Sequence, residues 1–265
     1  MKLRSPLHFQ QLIFLILAFA LCLGARSGWA QQDANVFYKV RPDVAAPMKV
    51  VGVTGTSLMV KDNFGEHGVP LAQILEIRMA EPAEVKAALQ AYQSKDYTKA
   101  LGLAKSVADK YKGLPATWAA TASSLVGDIY LAQGDAAKAQ AAYDDFAKAY
   151  PKPAGNEPDR GWWQMADLGR ARLAVTKKDF ETAKKTAEPL AQKALQEKNV
   201  TQASGQLYGQ AFLVLGQIKE AQGDYQGALE EYLRTVTLFY HDPSATAIAQ
   251  ERADALRKTH AAFVP

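Results

Sequence analysis

The stretch Gly223-Asp224-Tyr225-Gln226-Gly227-Ala228-Leu229-Glu230-Glu231-Tyr232-Leu233 decides the fold. A glycine just past a helix end takes the left-handed conformation at little cost. The aspartate after it can accept hydrogen bonds from the free amides that open the next helix. Tyr225, Ala228, Leu229, Tyr232, Leu233, Val236 and Phe239 then recur at helical spacing and form one apolar face. The small Ala228 lets two helices approach closely. The stretch therefore reads as a helix end, a tight turn and a second helix.

The same signal recurs upstream. It stands as Gly134-Asp135-Ala136 with Ala139, as Lys178-Asp179-Phe180 with Ala183, and as Lys95-Asp96-Tyr97 with Ala100. The four aspartates are spaced by 39, 44 and 45 residues. A recurring unit of this size marks helix–turn–helix repeats stacked on their neighbours. The extra length falls in a Pro/Gly-rich loop at 151–158 and a polar stretch at 196–205. Lys95 and Lys178 replace the turn glycine, which predicts strain or another turn geometry there. Pro189 lies inside a helix and is expected to kink it. Residues 244–260 read as a final helix that caps the open end of the stack.

These units resemble the tetratricopeptide repeat (TPR), a helical hairpin of about 34 residues. Residues 120–153 carry its small residue, aromatic, Gly-Asp turn, alanine, aromatic and proline as Gly127, Tyr130, Gly134, Asp135, Ala139, Tyr143 and Pro151. Residues 209–242 carry Gly216, Gly223, Asp224, Ala228 and Tyr232, with Lys219 where an aromatic is expected. The units at 81–114 and 164–197 are degenerate. The whole is similar to exported bacterial TPR proteins of the cell envelope, of the kind associated with the Tol–Pal system or with outer-membrane assembly.

The resemblance implies an α-solenoid whose first helices line a groove for a peptide segment of another protein. It places groove-facing residues at Tyr92, Ser124, Asp128, Leu131, Met165, Leu168, Arg172, Leu213, Gln217 and Glu220. This surface is mixed and lacks the Lys and Asn set by which some TPR proteins clamp a terminal carboxylate. The competing expectation is that the β segment or the final helix fills the groove. Trp162 and Trp163, paired at a helix start, are either core and cover for a neighbouring helix or an aromatic platform for a partner or a glycan.

Residues 31–80 differ in composition from the repeats at 81–265. Val, Gly and Thr replace alanine. Residues 49–54 and 57–61, joined at Gly55, read as paired strands, and 69–71 and 74–78 as two shorter ones. A small meander, as in SH3-like or Sm-like barrels, fits these lengths. It either caps the first helices or docks a partner.

Residues 1–30 read as a secretory signal: Lys2 and Arg4, the apolar run Leu12–Leu23, then Gly28-Trp29-Ala30. The run has twelve residues, against roughly 20 for a membrane-spanning helix. Cleavage after Ala30, no stable membrane span in the mature chain and a bacterial periplasmic location are the expectation. Cys22, the one cysteine, lies in this segment, so the mature chain has no disulfide and no thiolate metal site. The chain has 31 basic and 27 acidic residues, and removing Lys2, Arg4 and Arg26 leaves it near neutral. Nucleic-acid binding, which calls for a basic surplus, is not expected.

No catalytic constellation stands out. His67, His241 and His260 are far apart, and no metal-binding, phosphate-loop or nucleophile-elbow motif occurs. Asp144-Asp145 and Glu230-Glu231 read as solvated helix faces. The expectation is a scaffold with no enzyme activity, no cofactor and no metal, with self-assembly as the alternative.

Overall fold

A computed structural model describes residues 32–63, 65–153 and 161–261. The segment at 1–30, read as a signal, lies outside them. The chain begins with five antiparallel strands: β1 (Gln32–Tyr38), β2 (Arg41–Thr54), β3 (Ser57–Asp62), β4 (Gly65–Pro70) and β5 (Ile74–Met79). Their order is β4-β3-β2-β1-β5, so β5 returns to pair with β1. The long β2 serves two neighbours, β1 along its first part and β3 from Lys49 onward. Register shifts at Phe37/Tyr38 and between Val50 and Gly52 bend the strands.

Sequence reading located β3, β5 and the end of β2. It missed β1 and the start of β2, where Pro42, Asp43 and Pro47 lower strand propensity. The start of β2 pairs only with β1, and its other side is an edge that tolerates proline.

Nine helices follow among the described residues. They are α1 (Ala83–Gln93), α2 (Tyr97–Tyr111), α3 (Thr117–Ala132), α4 (Ala136–Ala149), α5 (Trp162–Thr176), α6 (Phe180–Gln196), α7 (Gln202–Ala221), α8 (Tyr225–Thr237) and α9 (Pro243–Thr259). The first eight form four hairpins joined by one kind of turn. The residue before each aspartate is left-handed: φ is 62° at Lys95, 78° at Gly134, 61° at Lys178 and 84° at Gly223. The amides of Asp96, Asp135, Asp179 and Asp224 each donate, at 2.9 Å, to the carbonyl five residues back. Each aspartate side chain then accepts the amide of the third residue onward, Lys99, Lys138, Thr182 or Gly227. The lysines keep the geometry of the glycine turns and bear its strain.

Replacing Lys178 by glycine is therefore expected to stabilise the chain by about 1 kcal/mol, because the left-handed penalty disappears. The midpoint of urea unfolding checks this. A smaller gain is expected at Lys95, whose Nζ also holds Glu251 at 2.8 Å.

The alanine four residues after each aspartate, at 100, 139, 183 and 228, is fully buried where paired helices meet. The Tyr143 ring lies between Gly127 and Gly169, and a Cβ at either position would collide with it. Pro189 lies inside α6, as sequence reading had it, and the helix continues through it.

The buried faces of the strands and the first helices form one core. Val36, Val50, Leu58, Val60, Ile74 and Ile77 pack with Val85, Val107, Tyr111 and Leu114. The sheet thus covers α1–α3, as the capping expectation had it. α9 does more than cap the last hairpin. Its Ala245, Ala249, Ala253 and Leu256 pack on α7 and α8, while Ile248 reaches the core of α1–α3.

Candidate functional site

α9 brings a buried polar cluster together. The Asp128 carboxylate on α3 accepts from Tyr143 Oη of α4 and from Arg172 Nη1 of α5, each at 2.6 Å. Its second oxygen lies 3.3 Å from Ser244 Oγ of α9. Ser244 donates at 2.7 Å to Asp242, the residue that caps α9, and Gln210 of α7 donates to the other Asp242 oxygen at 2.8 Å. Asp128 and Arg172 are each only 4% exposed.

Burial pushes the Asp128 carboxyl up, and the Arg172 guanidinium offsets part of that rise. For Arg172, burial works against the charge, but Asp128, Tyr143 and Tyr92 outweigh it and hold it above its usual range. Burial likewise raises the Tyr92 hydroxyl. The pair therefore stands as an inward-facing ion pair.

The residues expected to line a groove divide into two groups. Ser124, Asp128, Met165, Leu168 and Leu213 are buried. For these the expectation of an open partner surface is corrected, because neighbouring helices and α9 cover them. Leu213 packs in the α8–α9 core, and Met165 and Leu168 pack with Tyr208 and Phe212. Tyr92, Leu131, Arg172, Gln217 and Glu220 line a remaining cleft of about 630 Å³, although Tyr92 and Arg172 are themselves mostly covered.

α9 supplies one wall of that cleft through Ile248, Glu251 and Arg252. Arg252 pairs with Glu220, which also accepts from Tyr232 Oη at 2.6 Å. Tyr225 and His260 stack at the rim. The cleft combines apolar patches with charges that are already paired.

Sequence reading missed Asp242 and Ser244. Asp-Pro-Ser before an alanine-rich run signals a helix cap. Nothing in that signal shows that Ser244 also meets Asp128.

The tryptophans separate in role. Trp162 packs against the core and meets Tyr150 edge to face at 5.5 Å. Lys152 Nζ stands 5.0 Å from the centre of the Trp163 ring. Both line a smaller cleft of about 200 Å³ where the sheet meets the α2–α3 and α4–α5 loops.

His67 lies exposed on β4, 3.9 Å from Asp62. Among the described residues, no group of three His, Cys, Asp or Glu side chains is placed to hold a metal ion. No helix among them is long and apolar enough to cross a membrane. Comparison with protein-family models, curated proteins and solved structures gave no match.

Proposed function

We propose that the chain is a non-enzymatic, exported scaffold of the bacterial cell envelope, built on TPR-type repeats. It holds a peptide segment of another envelope protein in the cleft between its first helices and α9. The observation that carries this reading is the fourfold hairpin turn, with its left-handed residue and capping aspartate. It matches the TPR pattern read from Gly134-Asp135 and Gly223-Asp224. A mixed, open cleft beside such repeats is the place for an extended or helical partner segment.

Substitutions must be chosen by burial. Arg172 and Leu213 are buried, so changes there report folding. Leu131 and Gln217 are partly exposed at the cleft and report binding. Leu131→Asp is expected to keep the circular dichroism of the parent and to abolish crosslinked capture of a partner in envelope extracts. Capture unaffected by Leu131→Asp and by Gln217→Arg would remove the cleft from the function.

Self-assembly is the second reading, supported by the exposed apolar side chains of Leu195, Leu238 and Tyr240. A single monomeric species in sedimentation at high protein concentration would dismiss it.

A further inference from the structure

The face that α9 buries is made of small side chains. Ala245, Ala249 and Ala253 are fully buried, and Leu256 adds the one large, nearly fully buried apolar group. α7, by contrast, buries Tyr208, Phe212, Leu213 and Val214. An alanine methyl removes far less apolar surface from water than these groups do. Apart from Leu256 and the part-buried Ile248, α9 therefore buries little apolar surface of its own.

What positions α9 is polar. Asp242 and Ser244 bind Gln210 and meet Asp128, and Glu251 and Arg252 pair with Lys95 and Glu220. The Asp242 and Ser244 contacts are buried and fix register more than they add stability, whereas the Lys95–Glu251 and Arg252–Glu220 pairs reach solvent and contribute little. Another helix with the same polar start can remake them.

A way in also exists. The cleft lies open beside α9, rimmed by Leu131, Val175 and Gln217. Arg172 lines its floor, held by Asp128 and only 4% exposed. Finally, α9 follows a short hinge at 238–242 that leaves Leu238 and Tyr240 exposed. Phe239 within it stays buried against Tyr208 and Phe212 and ties the connection to α7.

We infer that α9 is an internal occupant of a helix-binding surface, and that a partner helix of the same chemistry replaces it. That partner helix opens with an aspartate cap and a serine. It carries alanine at three successive positions four apart, then leucine three residues later. The inference rests on the scaffold reading above and deepens it: the partner segment enters at the cleft and takes the seat of α9, so the chain's own helix competes with the partner.

The test uses the full chain and a labelled synthetic peptide with the sequence of residues 242–259. Ala249→Glu puts a carboxylate at a fully buried position of α9 and is expected to release it. Hydrogen exchange is expected to show α1–α8 still protected and α9 open. The released variant is expected to bind the peptide at least ~10-fold more tightly than wild type, because the competing occupant is gone. Equal binding by the two proteins, or binding by neither, overturns the inference.

If Ala249→Glu does not fold, exchange in the wild-type chain decides. Opening of α9 amides well before those of α7 supports the inference, and exchange of both only together overturns it. The two readings fail separately. Peptide binding without an envelope partner sinks the scaffold, whereas a captured partner without peptide binding sinks the competition by α9.

Discussion

Asp128→Ala is expected to destabilise the chain by about 3–5 kcal/mol, the range for leaving one member of a buried ion pair without its partner. The substitution strands the Arg172 guanidinium, which is 4% exposed. It also removes the acceptor of the Tyr143 hydroxyl and the carboxylate facing Ser244. Four helices, α3, α4, α5 and α9, lose their common point of attachment. Tyr143→Phe removes one hydrogen bond and keeps the ring between Gly127 and Gly169, so it is expected to cost only about 1–2 kcal/mol.

Replacing both charges together, as Asp128→Leu with Arg172→Met, is expected to cost less than Asp128→Ala alone, since no charge is left buried and unpaired. Urea unfolding of the three variants checks the order. A loss below about 1 kcal/mol for Asp128→Ala would mean that the ion pair is wet.

The second large effect is expected at Leu58 in β3. Leu58 is fully buried and belongs to the core that joins the sheet to α1–α3. Leu58→Ala is expected to cost about 2–5 kcal/mol, from lost burial and the cavity left behind. The loss should reach beyond the sheet. Val107, Tyr111 and Leu114 lie in the same core, so amides of α2 should lose protection together with those of β1 and β5. Hydrogen exchange resolved by segment measures this. Faster exchange confined to the strands would mean that the sheet is a separate unit docked on the helices.

The helical hairpins were legible in the sequence because their determinants are local. Four turn aspartates, the alanines four residues later and the apolar spacing each act within one or two turns of helix. The two lysine turns show the limit of that reading. Sequence allowed strain or a changed geometry at Lys95 and Lys178, and strain is what the chain adopts. β1 and the start of β2 were hidden because their pairing is non-local and their composition is polar and proline-bearing. Val36 is buried against residues far along the chain, such as Val107, and no local pattern announces that.

The cleft was half legible. The TPR resemblance implied Leu131, Arg172, Gln217 and Glu220 as groove residues, and the structure places them around one opening. The resemblance gave no warning that α9 would cross to α1 and cover Asp128. That depends on the contact of Ser244 with Asp128 and the packing of Ile248, between residues more than a hundred positions apart.

The most direct test of a cleft-binding scaffold is a pair of photocrosslinking side chains introduced in living cells. One replaces Gln217 inside the cleft, and the other replaces the exposed Lys185 on α6. The expected result is a discrete adduct with another envelope protein from position 217 that Leu131→Asp eliminates, with none from position 185. Adducts from 185 alone, or the same adducts from both positions, would contradict a scaffold that works through this cleft.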